Sequence, residues 1–106
     1  MTSRATPMEI LQAISPAGAR TYMEHRGAIM DNPELSALPT RVKLLVGIGV
    51  ASALQSERCT LMWTKQARDA GVPDAEIIEA ILTARLMKAA TVNDAAATAL
   101  QWLQDQ

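Results

Sequence analysis

Nowhere in the 106 residues do polar and apolar side chains alternate with a period of two over a strand's length. Apolar residues return instead every three or four positions, as in Ile77, Ile78, Ile81, Leu82 and Leu86, which is the repeat of one face of an α-helix. Alanine, the commonest residue, reinforces the pattern because it gives up no side-chain entropy on entering a helix. The expectation is an all-α chain of about six helices, forming a single domain over residues 1–106 with 1–6 as a loose terminus.

Local signals place the helices. Pro7 suits the first position of a short helix carrying Ile10, Leu11 and Ile14. Ser15-Pro16 opens a second helix, which runs to about Met30 and is broken by Asp31-Asn32-Pro33; Leu35 to Pro39 is a connector. Thr40 is expected to cap a helix from about Arg41 to Gln55, apolar around most of its circumference and so expected to be the buried one. Gly47 and Gly49 each cost this helix about 1 kcal/mol, which close packing against a neighbouring helix would offset. Ser56 caps the next helix, and Gly71 suits its left-handed end. After Val72-Pro73-Asp74 a helix runs to about Ala89, and Thr91 to Asn93 open a last one.

Ten basic and eleven acidic residues leave a net charge of −1, so no field of either sign invites a phosphate backbone, and nucleic acid is not an expected partner. No apolar run approaches the ~18 residues of a membrane span, and Met1-Thr2-Ser3-Arg4 lacks a signal-peptide core, which points to the cytoplasm with no membrane partner. A single cysteine excludes an intrachain disulfide and a cysteine-cluster metal site, and no cofactor is implied. The aromatics are only Tyr22, Trp63 and Trp102. A core so poor in large side chains gives marginal stability at this size, and the chain is expected to bury apolar surface between subunits of a homo-oligomer.

Chemistry-bearing residues are few. With Ser56 as cap, Cys59 falls in the first turn of its helix, where backbone N–H groups and the dipole favour a thiolate, with Arg58 helping and Glu57 opposing. The bland alternative is a cysteine packed as a small hydrophobe. Trp63 lies one turn on from Cys59 and Met62 beside it, an apolar pocket wall or ordinary packing. His25, the only histidine, has no evident base partner, Asp69 and Asp74 read as caps, and Arg85 interrupts an apolar stripe as an anion site or an oligomer contact.

The segment from Ser56 to Ile81, Ser-Glu-Arg-Cys-Thr-Leu-Met-Trp followed by Ala67, Gly71, Glu76 and Ile77, resembles the signature of the carboxymuconolactone decarboxylase and AhpD-like alkyl hydroperoxidase family. That signature is a CxxCxxxH helix start, an alanine, a glycine, and a helix opening on Glu-Ile. The resemblance covers roughly residues 35–100, with Arg41 to Val46 as the helix leading into the motif. It implies an AhpD-like helical domain assembling as a trimer, or a hexamer built of trimers. It also sets Cys59 on the peroxide-attacking cysteine, Ser56 on the resolving cysteine, Trp63 on the histidine and Leu44 on the glutamate of the proton relay. Serine forms no disulfide, and leucine and tryptophan accept no proton, so a dithiol cycle within one chain is chemically closed. The decarboxylase branch needs histidines that this chain lacks at the matching positions.

Three readings remain open. One is a non-catalytic member, binding an apolar small molecule in a pocket of Leu44, Ser56, Cys59, Met62 and Trp63, or serving as a scaffold subunit. A second is a one-cysteine thiol peroxidase or oxidoreductase using Cys59. The third is a purely structural helical assembly protein.

Overall fold

The structure, a computed structural model, describes residues 5–106. Its order is α1 (Pro7–Ile14), α2 (Pro16–Met30), a 3-10 turn (Pro33–Leu35), α3 (Thr40–Ala53), α4 (Glu57–Asp69) and α5 (Asp74–Gln104). No strand occurs among the described residues, and the all-α expectation holds. The chain divides into two compact units, meeting in sequence between Leu38 and Pro39.

In the first unit α1 packs on α2. Of the six residues expected to form a loose terminus, 1–4 lie outside the described residues. Thr6 is not loose: its Oγ1 accepts from the Glu9 N–H at 3.1 Å, while its own N–H donates to Glu9 Oε2 at 3.2 Å. This reciprocal capping box satisfies two donors that a helix start otherwise leaves orphaned. Ser15 caps α2 through a 3.1 Å bond from the Gly18 N–H. Among the described residues of this unit Ala19 is the buried one.

In the second unit α3 packs against both α4 and α5, which touch each other only slightly. Leu44, Ile48 and Ala51, spaced four and three apart, form the buried side of α3, and Ala67, Val72 and Ile77 are the other buried residues of this unit. As expected, α3 holds more buried residues than any other described helix, but on one side only. Val46, Val50 and Leu54 form a second apolar stripe on the same helix, and all three are exposed. Gly49 faces α5, but the approach does not demand a glycine: a methyl there would lie 3.6 Å from the Ala80 carbonyl oxygen and 3.8 Å from Ala84 Cβ, both ordinary contact distances. Thr40 is the first helical residue of α3 rather than its cap, a position taken by Pro39, and no side chain caps this helix.

The largest departure from expectation is α5. The sequence predicts two helices with a break near Thr91–Asn93, whereas the structure has one helix of 31 residues. The physical reason lies in what the segment lacks. Between Asp74 and Gln104 there is neither glycine nor proline, and Thr, Val and Asn each cost a helix at most about 0.7 kcal/mol. Thr91 also turns its hydroxyl inward, donating from Oγ1 to the Lys88 carbonyl at 2.5 Å, so it offers the backbone no competing turn. Among the described residues the all-α fold therefore has five α-helices and one 3-10 turn, against the expectation of about six helices.

Candidate functional site

The junction of α3 and α4 carries Ser56 and Cys59. Helix α3 ends with Leu54 as its cap and Gln55 in the left-handed region at φ 61°. The Gln55 N–H donates to Ser52 O and the Ser56 N–H to Ala51 O, each at 3.0 Å, which is the paired closure of a Schellman motif. Ser56 then starts α4: its Oγ accepts from the Cys59 N–H at 3.3 Å, and its carbonyl accepts from the Thr60 hydroxyl at 2.7 Å. One serine thus closes one helix and opens the next. The turn needs a left-handed residue, and the chain supplies glutamine there rather than glycine.

At the far end of α4 the same device recurs with the expected residue. Gly71 has φ +86°, its N–H donates to Arg68 O, and the Val72 N–H donates to Ala67 O, both at 3.0 Å. Val72 is buried beside Ala67, the apolar contact that accompanies this motif. Helix α4 is therefore held at both ends, and the side chains along it have fixed directions.

The expected site residues divide on this frame. Cys59 is exposed, in the first turn of α4. Ser56 is half-buried and committed to the cap. Leu44 is 4% exposed and belongs to the core of the second unit. Trp63 is half-buried with its indole over α3: a methyl on Gly47 would meet Cδ2 at 3.5 Å and Cγ at 3.7 Å. The space between α3 and α4 at this level is therefore filled by an aromatic ring resting on a glycine. Met62 faces outward and lines, with Arg58, Leu61 and Lys65, an open depression along α4 that does not take in Cys59 or Trp63. The structure brings Ser56 to Cys59 and Trp63 to α3, while Met62 stands apart from both.

The other candidates fall elsewhere. His25 is exposed on α2. Asp74 pairs with Arg68 at 3.6 Å across the α4–α5 connection, and Glu76 pairs with Arg41. Arg85 borders a shallow groove at the end of α3 together with Lys88. Among the described residues no cluster of histidine, cysteine or carboxylates could hold a metal ion, and no helix is long and apolar enough to cross a membrane.

Residue-by-residue reading missed an apolar groove between α3 and α5, lined by Val46, Gly49, Val50, Ala53, Ala84 and Met87 among others. The signal was present: Val46, Val50 and Leu54 repeat every four residues on the side of α3 away from Leu44.

The model of the carboxymuconolactone decarboxylase family matches residues 16–105, nearly the whole chain, and the protein belongs to that family. No curated protein and no solved structure matches it significantly.

Proposed function

We propose that the protein is a family member without dithiol peroxidase or decarboxylase chemistry, acting as a scaffold or small-ligand-binding subunit of a homo-oligomer. The observation that carries this reading is the packing between α3 and α4. Where the resemblance calls for a proton-relaying glutamate and histidine, Leu44 is buried in the core and Trp63 lies over Gly47. Neither side chain accepts a proton. The resolving-cysteine position is a serine whose hydroxyl is engaged as a helix cap.

The assembly half of the proposal rests on exposure. Among the described residues seven are buried hydrophobics, and the exposed ones include Val46, Val50, Leu54, Leu86, Leu100 and Trp102. Apolar surface on this scale marks a contact surface. A trimer, or a hexamer of trimers, is the form the resemblance suggests. An apolar small molecule finds better lining in the α3–α5 groove than around Cys59. A lone, unpaired thiol suits a reducing compartment such as the cytoplasm.

One observation favours a second reading. Cys59 is exposed and stands in a first helical turn, so peroxide can reach it. A one-cysteine cycle would have its thiolate attack the O–O bond of hydrogen peroxide, giving a sulfenic acid and hydroxide; two equivalents of an external thiol would then reduce the sulfenic acid to the thiol, releasing water and the external thiol's disulfide. Steady-state peroxide consumption by the purified protein with dithiothreitol separates the two. The first reading expects no rate above dithiothreitol alone; a rate abolished by Cys59→Ser establishes the second.

A further inference from the structure

We infer that the groove between α3 and α5 binds a free medium-chain fatty acid, its chain lying along the two helices and its carboxylate held by Arg85 and Lys88. This names a ligand for the small-molecule reading above and rests on it. The groove exists because its floor is made of small residues. Gly49 of α3 lies against Ala80 and Ala84 of α5, and none of the three has a side chain larger than a methyl. Larger residues flank them: Leu45, Val46 and Val50 on the α3 side, Thr83 and Met87 on the α5 side. Val46, Val50 and Met87 are exposed, so a chain laid between them displaces water from apolar surface.

The dimensions suit a single alkyl chain. The volume, about 510 Å³, lies in the range of small-molecule sites. Along the groove, from Ala80 to Thr91, α5 advances about 16 Å, the reach of an extended chain of about a dozen carbons.

Charge supplies the head group. From Leu44 to Ala53 α3 has no charged residue, and from Ala80 to Ala90 α5 has only Arg85 and Lys88. Lys88 lines the apolar groove, and with Arg85 it also lines the shallow depression beside Ser52 and Gln55, where α3 stops. The two spaces share Ala53, Ala84 and Lys88, so one leads into the other. Among the described residues no carboxylate lines either space, and neither cation has an ion-pair partner. The C-terminal dipole of α3 presents about half a negative charge to them. Two full positive charges exceed it, and the excess is open to an anion. An apolar trough ending in two cations complements an alkyl chain ending in a carboxylate; an alkylammonium of equal length is repelled. Leu86, Leu100 and Trp102 border neither space, so a filled groove leaves them for contact between copies.

The test titrates the full chain with dodecanoate below its micelle concentration, by calorimetry and by the signals of isotope-labelled methionine methyls. Met87→Leu assigns the Met87 signal. The expected result is saturable binding of one dodecanoate per chain, with the largest shift at Met87. Each methylene from octanoate to dodecanoate is expected to tighten binding about twofold, since an open groove buries one side of a chain and full burial gives about fourfold. Arg85→Gln with Lys88→Gln is expected to weaken dodecanoate at least about fivefold, the effect of one exposed ion pair. Val50→Asp, which sets a carboxylate in the trough, is expected to abolish binding, with circular dichroism confirming that both variants are folded. No saturable binding, no dependence on chain length, equal affinity for dodecyltrimethylammonium, or an unmoved Met87 signal overturns the proposal. Sedimentation of the same samples separates two failures. An oligomer that binds no dodecanoate overturns the ligand alone and leaves a scaffold subunit; a monomer that binds none overturns the reading on which it rests as well.

Discussion

Gln55 and Gly71 do the same backbone work at the two ends of α4, and only one of them is the residue type suited to it. Left-handed backbone costs a side-chain-bearing residue about 1–2 kcal/mol, whereas glycine's extra freedom in the unfolded chain costs roughly 0.5–1 kcal/mol. Gln55→Gly is therefore expected to stabilise the fold by up to about 1 kcal/mol, and Gly71→Ala to destabilise it by up to about 1 kcal/mol, in denaturant titrations at fixed protein concentration. No atom lies within 4 Å of a methyl on Gly71, so the loss there is conformational and not steric. Gly47 is the opposite case. A methyl would touch the Trp63 ring at an ordinary 3.5 Å, so Gly47→Ala is expected to be tolerated, gaining up to about 1 kcal/mol of helix propensity. Gly47→Leu should lift the indole from α3 at a cost of about 1–3 kcal/mol, visible in tryptophan fluorescence. Ser56→Cys is expected to give a disulfide with Cys59 on oxidation yet no peroxide turnover, because Leu44 and Trp63 still move no proton; turnover in that variant would show that the relay positions had been misjudged.

Helix α5 shows what the sequence made legible and what it hid. Its first half announces itself through the Ile77, Ile81 and Leu82 spacing, and α4 through Ser56 and Gly71, because caps and apolar periods are local properties. The continuity across Thr91–Asn93 was hidden, since weak helix formers resemble a boundary until it is seen that no glycine or proline follows. The exposed side of α3 was hidden for another reason: an apolar residue reads alike whether its own chain or another covers it. Cys59 was readable as a first-turn residue but not as an exposed one. Placement of Leu44 in the core and Met62 outside depends on how helices rotate against one another, which no single helix records. Helices with few tertiary contacts are marginal in water. In dilute solution the amides from about Asn93 onward in α5 are therefore expected to exchange faster than those from Ile77 to Ala84, and to slow as protein concentration rises. Equal protection at both ends at all concentrations would count against an uncovered second half.

At the scale of the whole molecule, the chain belongs to the carboxymuconolactone decarboxylase family and has a single cysteine, Cys59. What it keeps intact is the helical frame, closed by two Schellman turns and a capping box, with leucines and valines turned outward. A folded chain of this kind is stable when other copies cover those faces, and its stability then rises with concentration. The most direct check is the mass of the purified protein at micromolar concentration by sedimentation velocity. A multiple of 11.4 kDa is the expected result. A cooperatively folded 11.4 kDa monomer would contradict the account.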